Sequence, residues 1–407
     1  MHIIHTADWH LGQYFYTKSR APEHQAFLDW LIEQITFYQV DALIVAGDIF
    51  DNGSPPSYAR EMLNRFVVAL RTTGCQLVLL AGNHDAVATL NESRDLLACL
   101  NTRVIAKAFD DPDQHVFPLN TRQGIPGAIL CAIPFLRPRD SLRSQAGQSC
   151  SEKQLARQDA ISGHYAKCYQ HACTLRETLG LSLPIIATGH LTTVGSTASE
   201  AVRDIYIGSL DAYPVQALPP ADYIGLGHIH RPQRVGHSEH IRYSGSPIAL
   251  SFDELSSKKS VTLIEFQKSS LRQITLLPIP VTQLMRLIKG TLIEIEQQLR
   301  ALPVPEKEQR IWLDIEIDTD TYLSDMQQHI QQLAQALPVD VLLLRRNREQ
   351  RFEVITREKK ETLDELSPCD VFERRLALTN IELEQQERLR QLFNDIVRDI
   401  QEGDYKT

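Results

Sequence analysis

The chain has 407 residues, is 43% hydrophobic and 23% charged, and carries a formal net charge of −9. That length accommodates one large domain with one or two smaller ones, and the acidic balance excludes a uniformly basic nucleic-acid coat protein while leaving local phosphate-binding patches open. Seven cysteines, an odd number without CxxC spacing, argue against a disulfide framework and for a reducing cytosol. No apolar run reaches the roughly 20 residues that span a bilayer, and the N-terminus lacks the basic leader of a signal peptide.

In chain order, residues 2–10 (HIIHTADWH) predict a strand and a loop. Residues 22–39 carry Phe27, Trp30, Leu31, Ile35 and Phe37 at helical spacing with Pro22 near the start, which predicts a helix. A strand over 42–46, a helix over about 58–72 and a strand over 76–80 follow. This order predicts a parallel sheet wrapped by helices. Short strands are expected at Val104–Ala106 and Ala128–Phe135, a long helix over about 152–180 and a strand over 184–188. Strands at 222–226, Ile241–Ser244, Val261–Phe266 and Gln273–Pro278 are expected to complete a second sheet facing the first. Beyond Pro280, strands at Arg286–Lys289, Ile311–Ile317 and Val339–Leu344 alternate with helices over 291–301 and 321–336 and predict a small separate α/β unit. From about 369 the chain reads as polar helix. Leu389, Leu392, Phe393, Ile396, Val397 and Ile400 form one apolar stripe there, suited either to its own chain or to a partner.

The chemistry sits at the ends of the apolar strands. ALIVAGDIFD delivers Asp48 and Asp51, HIIHTADWH delivers Asp8 and His10, and CQLVLLAGNHD delivers Asn83, His84 and Asp85. PIIATGH ends on His190, and ADYIGLGHIH ends on His228 and His230. An apolar run ending in such residues is how a buried parallel strand presents ligands at its carboxyl edge. Each short motif alone is weak, because Asp-x-His and Gly-Asn commonly serve caps and turns. Five in succession, each closing an apolar strand, point to one assembled site. Carboxylates, imidazoles and an amide oxygen without thiolates suit Mn²⁺, Fe²⁺ or Zn²⁺. Two divalent ions about 3.5–4 Å apart need a bridging carboxylate, for which Asp48 is the natural choice. His24, His115, His164 and His329 lack this context.

DxH, GDxxD, GNHD, GH and GHxH in this order resemble the calcineurin-like metallophosphoesterase superfamily over roughly residues 1–275. HTADWHLG, GHIHRPQ and YSGSPIALSFDE extend the similarity to its SbcD family of nuclease subunits over essentially the whole chain. The resemblance implies a two-sheet β-sandwich flanked by helices, with a small α/β capping domain and C-terminal helices. The implied boundaries are 1–278 for the nuclease domain, 279–360 for the DNA-contacting cap and 361–407 for the partner-binding helices. It implies two divalent ions, manganese by preference with magnesium the substitute. One would be held by Asp8, His10, Asp48 and His230, the other by Asp48, Asn83, His190 and His228. His84 would act on the phosphate and leaving group without being a ligand, with Asp51 orienting it; many relatives carry His at the position of Asp51. Asp85 would stand behind the ligands.

The implied activity is metal-dependent hydrolysis of DNA phosphodiesters, exonucleolytic (3′–5′) on duplex ends and endonucleolytic on single strands and hairpins, in repair and recombination. The implied partner is an SbcC-type coiled-coil ATPase, in a heterotetramer containing a homodimer of this chain, cytoplasmic and associated with the nucleoid. No GK dipeptide occurs, so ATP-driven control would come from that partner. Two basic runs, Arg137/Arg139/Arg143 and Arg345/Arg346/Arg348/Arg351/Arg357/Lys359/Lys360, suit either DNA contact or a solvated face. Leu11, Tyr14, Phe15 and Tyr58 suit either a dimer contact or the core. The rival readings are a protein or small-molecule phosphoesterase of the same superfamily and a non-catalytic scaffold. Asn52, rather than Arg, after Asp51 and the extra length beyond the core argue against the first.

Overall fold

The computed structural model describes residues 1–137, 150–193, 213–303, 309–318, 323–346, 372, 376 and 385–393. In chain order its strands are β1 (His2–Thr6), β2 (Tyr14–Phe15), β3 (Lys18–Ser19), β4 (Ala42–Ala46), β5 (Gln76–Leu80) and β6 (Thr102–Ile105). Next come β7 (Val116–Asn120), β8 (Pro126–Cys131), β9 (Ile185–His190), β10 (Tyr223–Gly227), β11 (Gln233–Arg234) and β12 (Ile241–Tyr243). The last are β13 (Ser260–Gln267), β14 (Ser270–Pro278), β15 (Met285–Gly290), β16 (Ile311–Ile317) and β17 (Val339–Arg346).

Two six-stranded sheets form the body, one ordered β14-β13-β1-β4-β5-β6 and the other β11-β12-β10-β9-β8-β7. Alternation along the strands explains the layers. Leu43 and Val45 pack outward with Leu77 and Leu79 beneath the helices Ala21–Phe37 and Ser57–Arg71. Ala42 and Ile44, with Val78 and Leu80, face inward onto Ala128, Leu130 and Ile186 of the second sheet. Ile129, Cys131, Ile185 and Ala187 lie on that sheet's outer face, covered by the helix Cys150–Leu179. Both faces of the central strands are buried, so these strands read as continuous apolar runs rather than alternating ones. The result is the expected helix-flanked sandwich.

The partnership of two strands differs from expectation. β13 and β14 belong to the first sheet: β13 runs antiparallel to β1, with Ile4 opposite Leu263, and β14 extends that edge. Periodicity identified these strands, but it does not choose an edge. The open side of β1 accepts them because Val261 and Leu263 complete the outer core while Ile264 and Phe266 complete the inner one. β7 carries no clear strand signal in the sequence because Pro118 interrupts it. The strand lies at the rim of its sheet, where a missing N–H donor is tolerated.

The parallel sheet β15-β16-β17 has its own core of Ile288, Ile295, Leu299, Leu313, Ile315 and Ile330. It meets the body through Phe15, Phe252, Met285 and Trp312. Phe15 and Trp312 stack at 6.0 Å, the Arg20 guanidinium covers both rings, and Lys18 Nζ lies 2.7 Å from Asp340 Oδ2. Phe15 is therefore occupied within its own chain, and so is Leu11, fully buried in the first core; neither is free for a dimer contact. Tyr58 packs partly against that core, whereas Tyr14 is 57% exposed. Near the C-terminus, Leu389 and Leu392 are exposed and Phe393 stacks on Phe372. Ile396, Val397 and Ile400 lie outside the described residues, as do Arg139, Arg143, Arg348, Arg351, Arg357, Lys359 and Lys360.

Candidate metal centre

The carboxyl ends of β1, β4, β5, β9 and β10 converge. The parallel ladder of β1 and β4 continues past both strands: Asp8 N donates to Gly47 O, His10 N to Asp48 O and Leu11 N to Ile49 O, all at 2.9–3.0 Å. Following this ladder, the chain turns sharply, and Asp8, His10 and Asp48 take left-handed φ of 55°, 48° and 50°. His228 does the same at 93°. Such backbone costs energy in non-glycine residues and gathers where function demands a particular side-chain direction. Glycines make the room. A Cβ on Gly82 would overlap the Asp48 carboxylate, one on Gly47 the His190 ring, and one on Gly227 the Ala46 carbonyl oxygen.

Six of the seven expected ligands are almost wholly buried: Asp8, His10, Asp48, His190, His228 and His230. Asn83, His84 and Asp51 are half-buried and form the open rim. The side chains assemble into three overlapping groups whose ligand atoms lie within 4.8 Å of one another: Asp8–His10–His230, Asp48–His190–His228 and His10–Asp48–His84. The first two parallel the expected sets, with Asn83 at the second. Its Oδ1 lies 2.8 Å from His190 Nε2 and 3.1 Å from His228 Nδ1. The third puts His84 close enough to compete as a ligand, which makes its role an experimental question.

Hydrogen bonds fix the ring orientations. His190 Nδ1 donates to Ala46 O at 2.9 Å, so Nε2 faces Asn83 and Asp48. His228 N donates to Asp8 Oδ1 at 2.8 Å, and His84 N donates to Asp48 Oδ1 at 2.9 Å. Asp51 acts through two atoms. Its carbonyl accepts from His84 Nδ1 at 2.7 Å, and its carboxylate stands 3.4 Å from His10 Nδ1. Thus the main chain of Asp51 takes part in holding His84. Asp85 braces the loops, accepting from the backbone N–H groups of Ile49, Phe50 and Gly82. Arg137, expected as a DNA contact or a solvated charge, instead donates to the carbonyls of Asp85, Gly82 and Ala106. Glu254 and Lys259, which no motif singled out for a role, join behind His230. Of the two, only Glu254 falls in the unassigned SFDE stretch.

The electrostatics are those of a crowded buried cluster. Burial pushes the Asp8 carboxyl upward. Burial acts on Asp48 in the same sense, but the imidazoles of His190, His84 and His10 override it and hold Asp48 well below the usual carboxylate range. Burial disfavours charge on His190 too, yet Asp48 raises it to about 9. His228 is driven well below its ordinary value by burial and by neighbouring His190. The cluster offers a mixed carboxylate, imidazole and amide-oxygen donor set, which suits divalent first-row ions. Asp8 Oδ2 and His10 Nε2 are buried with no hydrogen-bond partner among the described residues. Unpaired polar atoms in a dry site carry a substantial penalty, and a cation between them removes it. The residues present therefore fit a di-metal centre.

Residues 1–232 match the calcineurin-like phosphoesterase family, and residues 281–380 match the family described as Type 5 capsule protein repressor C-terminal domain. The SbcD subunit of the SbcCD nuclease from Escherichia coli K12 is 58% identical over 393 residues, covering 97% of each chain. Its counterpart in Rhodobacter capsulatus is 36% identical over 75% of this chain and 77% of its own, and that in Bacillus subtilis 28% identical over 80% and 81%. Residue types, strand-end geometry and these similarities converge: the chain belongs to the calcineurin-like phosphoesterase family and, within it, to the SbcD family of nuclease subunits.

Proposed function

We propose that the chain is the hydrolytic subunit of an SbcC–SbcD-type nuclease, cleaving DNA phosphodiesters at duplex ends, single strands and hairpins during repair and recombination. The observation that carries this reading is 58% identity over 97% of the chain to a named nuclease subunit. Asp8, His10, Asp48 and His230 would hold one ion, and Asp48, Asn83, His190 and His228 the other; manganese is favoured and magnesium is the substitute. When bound, such ions supply a nucleophilic water near neutral pH and neutralise phosphoryl charge. The protein's own contribution is orientation. Asp48 is steered by the His84 N–H, and His190 by the Ala46 carbonyl. Holding of Nδ1 by the Asp51 carbonyl leaves His84 Nε2 to face the scissile phosphate and assist the departing 3′ oxygen.

The organisation proposed is 1–278 as nuclease domain, 279–360 as the cap over DNA and 361–407 as helices gripping an SbcC-type coiled-coil ATPase. The exposed Leu389 and Leu392 support a partner contact. Two copies of the chain would join the ATPase in a cytoplasmic, nucleoid-associated heterotetramer, with ATP-driven control supplied by the partner. The test is cleavage of end-labelled duplex and hairpin DNA with manganese or magnesium, for the chain alone and with the ATPase. Manganese-dependent cutting, with duplex cutting gated by ATP and partner, supports the reading. Hydrolysis of a small phosphodiester with no DNA cutting under any condition would refute the nuclease and leave a different phosphoesterase.

A further inference from the structure

The hydrogen bonds that fix His230 continue away from the centre into a buried ion pair. His230 Nδ1 donates to Glu254 Oε1 at 3.1 Å, and Glu254 exposes none of its surface. Glu254 Oε2 accepts from Lys259 Nζ at 2.5 Å, from Leu250 N at 3.0 Å and from Ser246 Oγ at 3.3 Å. Lys259 Nζ also donates to the His230 carbonyl at 2.9 Å and to Ser246 Oγ at 2.7 Å. The ring and the main chain of His230 are therefore both held by one carboxylate–ammonium pair. Desolvating two charges is expensive, and apolar residues of similar volume are often as stabilising. A pair retained in that position, touching one residue of a ligand group at two points, acts on that residue.

The chain geometry makes the pair rigid. Glu254 lies on the one-turn helix Phe252–Ser256, and Lys259 immediately precedes β13. β13 pairs with β1, the strand that leads to Asp8 and His10. Phe252, on the same turn, is packed among Phe15, Met285 and Trp312. With Nδ1–H committed to Glu254, the atom of His230 left for the Asp8–His10–His230 group is Nε2. A carboxylate behind a ligating imidazole sets its tautomer and direction and raises its basicity.

We propose that Glu254, held by Lys259, is a positioning residue that locks His230 in the tautomer and orientation required by its half of the metal centre. The proposal rests on the metal-dependent reading above. It is tested on the full chain, stripped of metal and titrated with MnCl2 by calorimetry. Glu254→Asp keeps the charge but withdraws it from His230; Glu254→Gln combined with Lys259→Met removes both charges and avoids stranding one. The expected result is two binding steps in the unaltered chain. In both variants one step weakens by about ten- to hundredfold, the other changes little, and the metal-free melting temperature is retained. Two unchanged steps in the variants overturn this proposal alone. So does equal weakening of both steps, or unfolding of both variants without metal, which would make the pair purely structural. Absence of saturable manganese uptake by the unaltered chain overturns the metal-dependent reading and this proposal with it.

Discussion

Replacement of His84 by Gln separates chemistry from ligation at the one residue whose geometry permits both. The ring sits within reach of His10 and Asp48, yet its Nδ1 is engaged by the Asp51 carbonyl and its backbone N–H by Asp48. Gln preserves the backbone bond, so the orientation of Asp48 survives. The hydrogen bond from His84 Nδ1 to the Asp51 carbonyl is worth about 0.5–1.5 kcal/mol, and the Gln amide can renew it. A group positioned to assist a leaving oxygen contributes about 10²–10⁴ in rate, or about 3–5 kcal/mol of barrier. The catalytic loss thus outweighs the structural one severalfold. The expected outcome is a rate reduced about 10²–10⁴-fold on both DNA and a small phosphodiester, with manganese stoichiometry unchanged. Rate is measured under saturating metal, and metal content by elemental analysis after desalting. Metal content falling in step with activity would make His84 a ligand and refute the assignment.

Three further outcomes follow from the geometry. Gly227→Ala places a Cβ against the Ala46 carbonyl oxygen and near His190 Nδ1. No rotamer relieves that overlap, so a stability loss of about 3 kcal/mol or more, with loss of manganese uptake, is expected in thermal melts and titrations; a fully active, stable variant would refute the packing argument. Arg137→Met removes a guanidinium from three loop carbonyls. It should lower stability by about 2–3 kcal/mol and leave the salt dependence of DNA binding unchanged, whereas a phosphate contact would reduce that slope by about one. His5 and His24 are fully buried, and desolvation lowers each from 6.5 to about 3. Their stabilising contribution is complete above pH 6.5 and is lost as pH falls toward about 3. At pH 5 each costs about 2 kcal/mol at 1.36 kcal/mol per unit, so melts in EDTA should fall by several degrees between pH 7 and pH 5, and less in His24→Leu. A flat profile would refute the neutral buried state.

The strand ends were legible because composition and position coincide there. Apolar runs such as ALIVA and IIATG, short and closed by turn residues, fit strands buried on both faces, and residues that follow such parallel strands emerge at one sheet edge. That local logic assigns Asp8, His10, Asp48, Asn83, His190, His228 and His230 to one place, and family resemblance divides them between two ions. Tertiary structure alone decided how they are held. Sheet membership of β13 and β14 depended on which open edge could use both their faces. The Asp51 carbonyl accepts from His84, and a carbonyl is a group every residue possesses, so side-chain identity could not disclose that contact. Arg137 looked like a surface charge because its acceptors are backbone atoms as many as 55 residues away. Glu254 and Lys259 lie in a stretch without periodicity, and their meaning arises only when β13, which follows them, pairs with β1. Ligand identity is a property of short segments; ligand orientation is set by partners that the chain brings together only on folding.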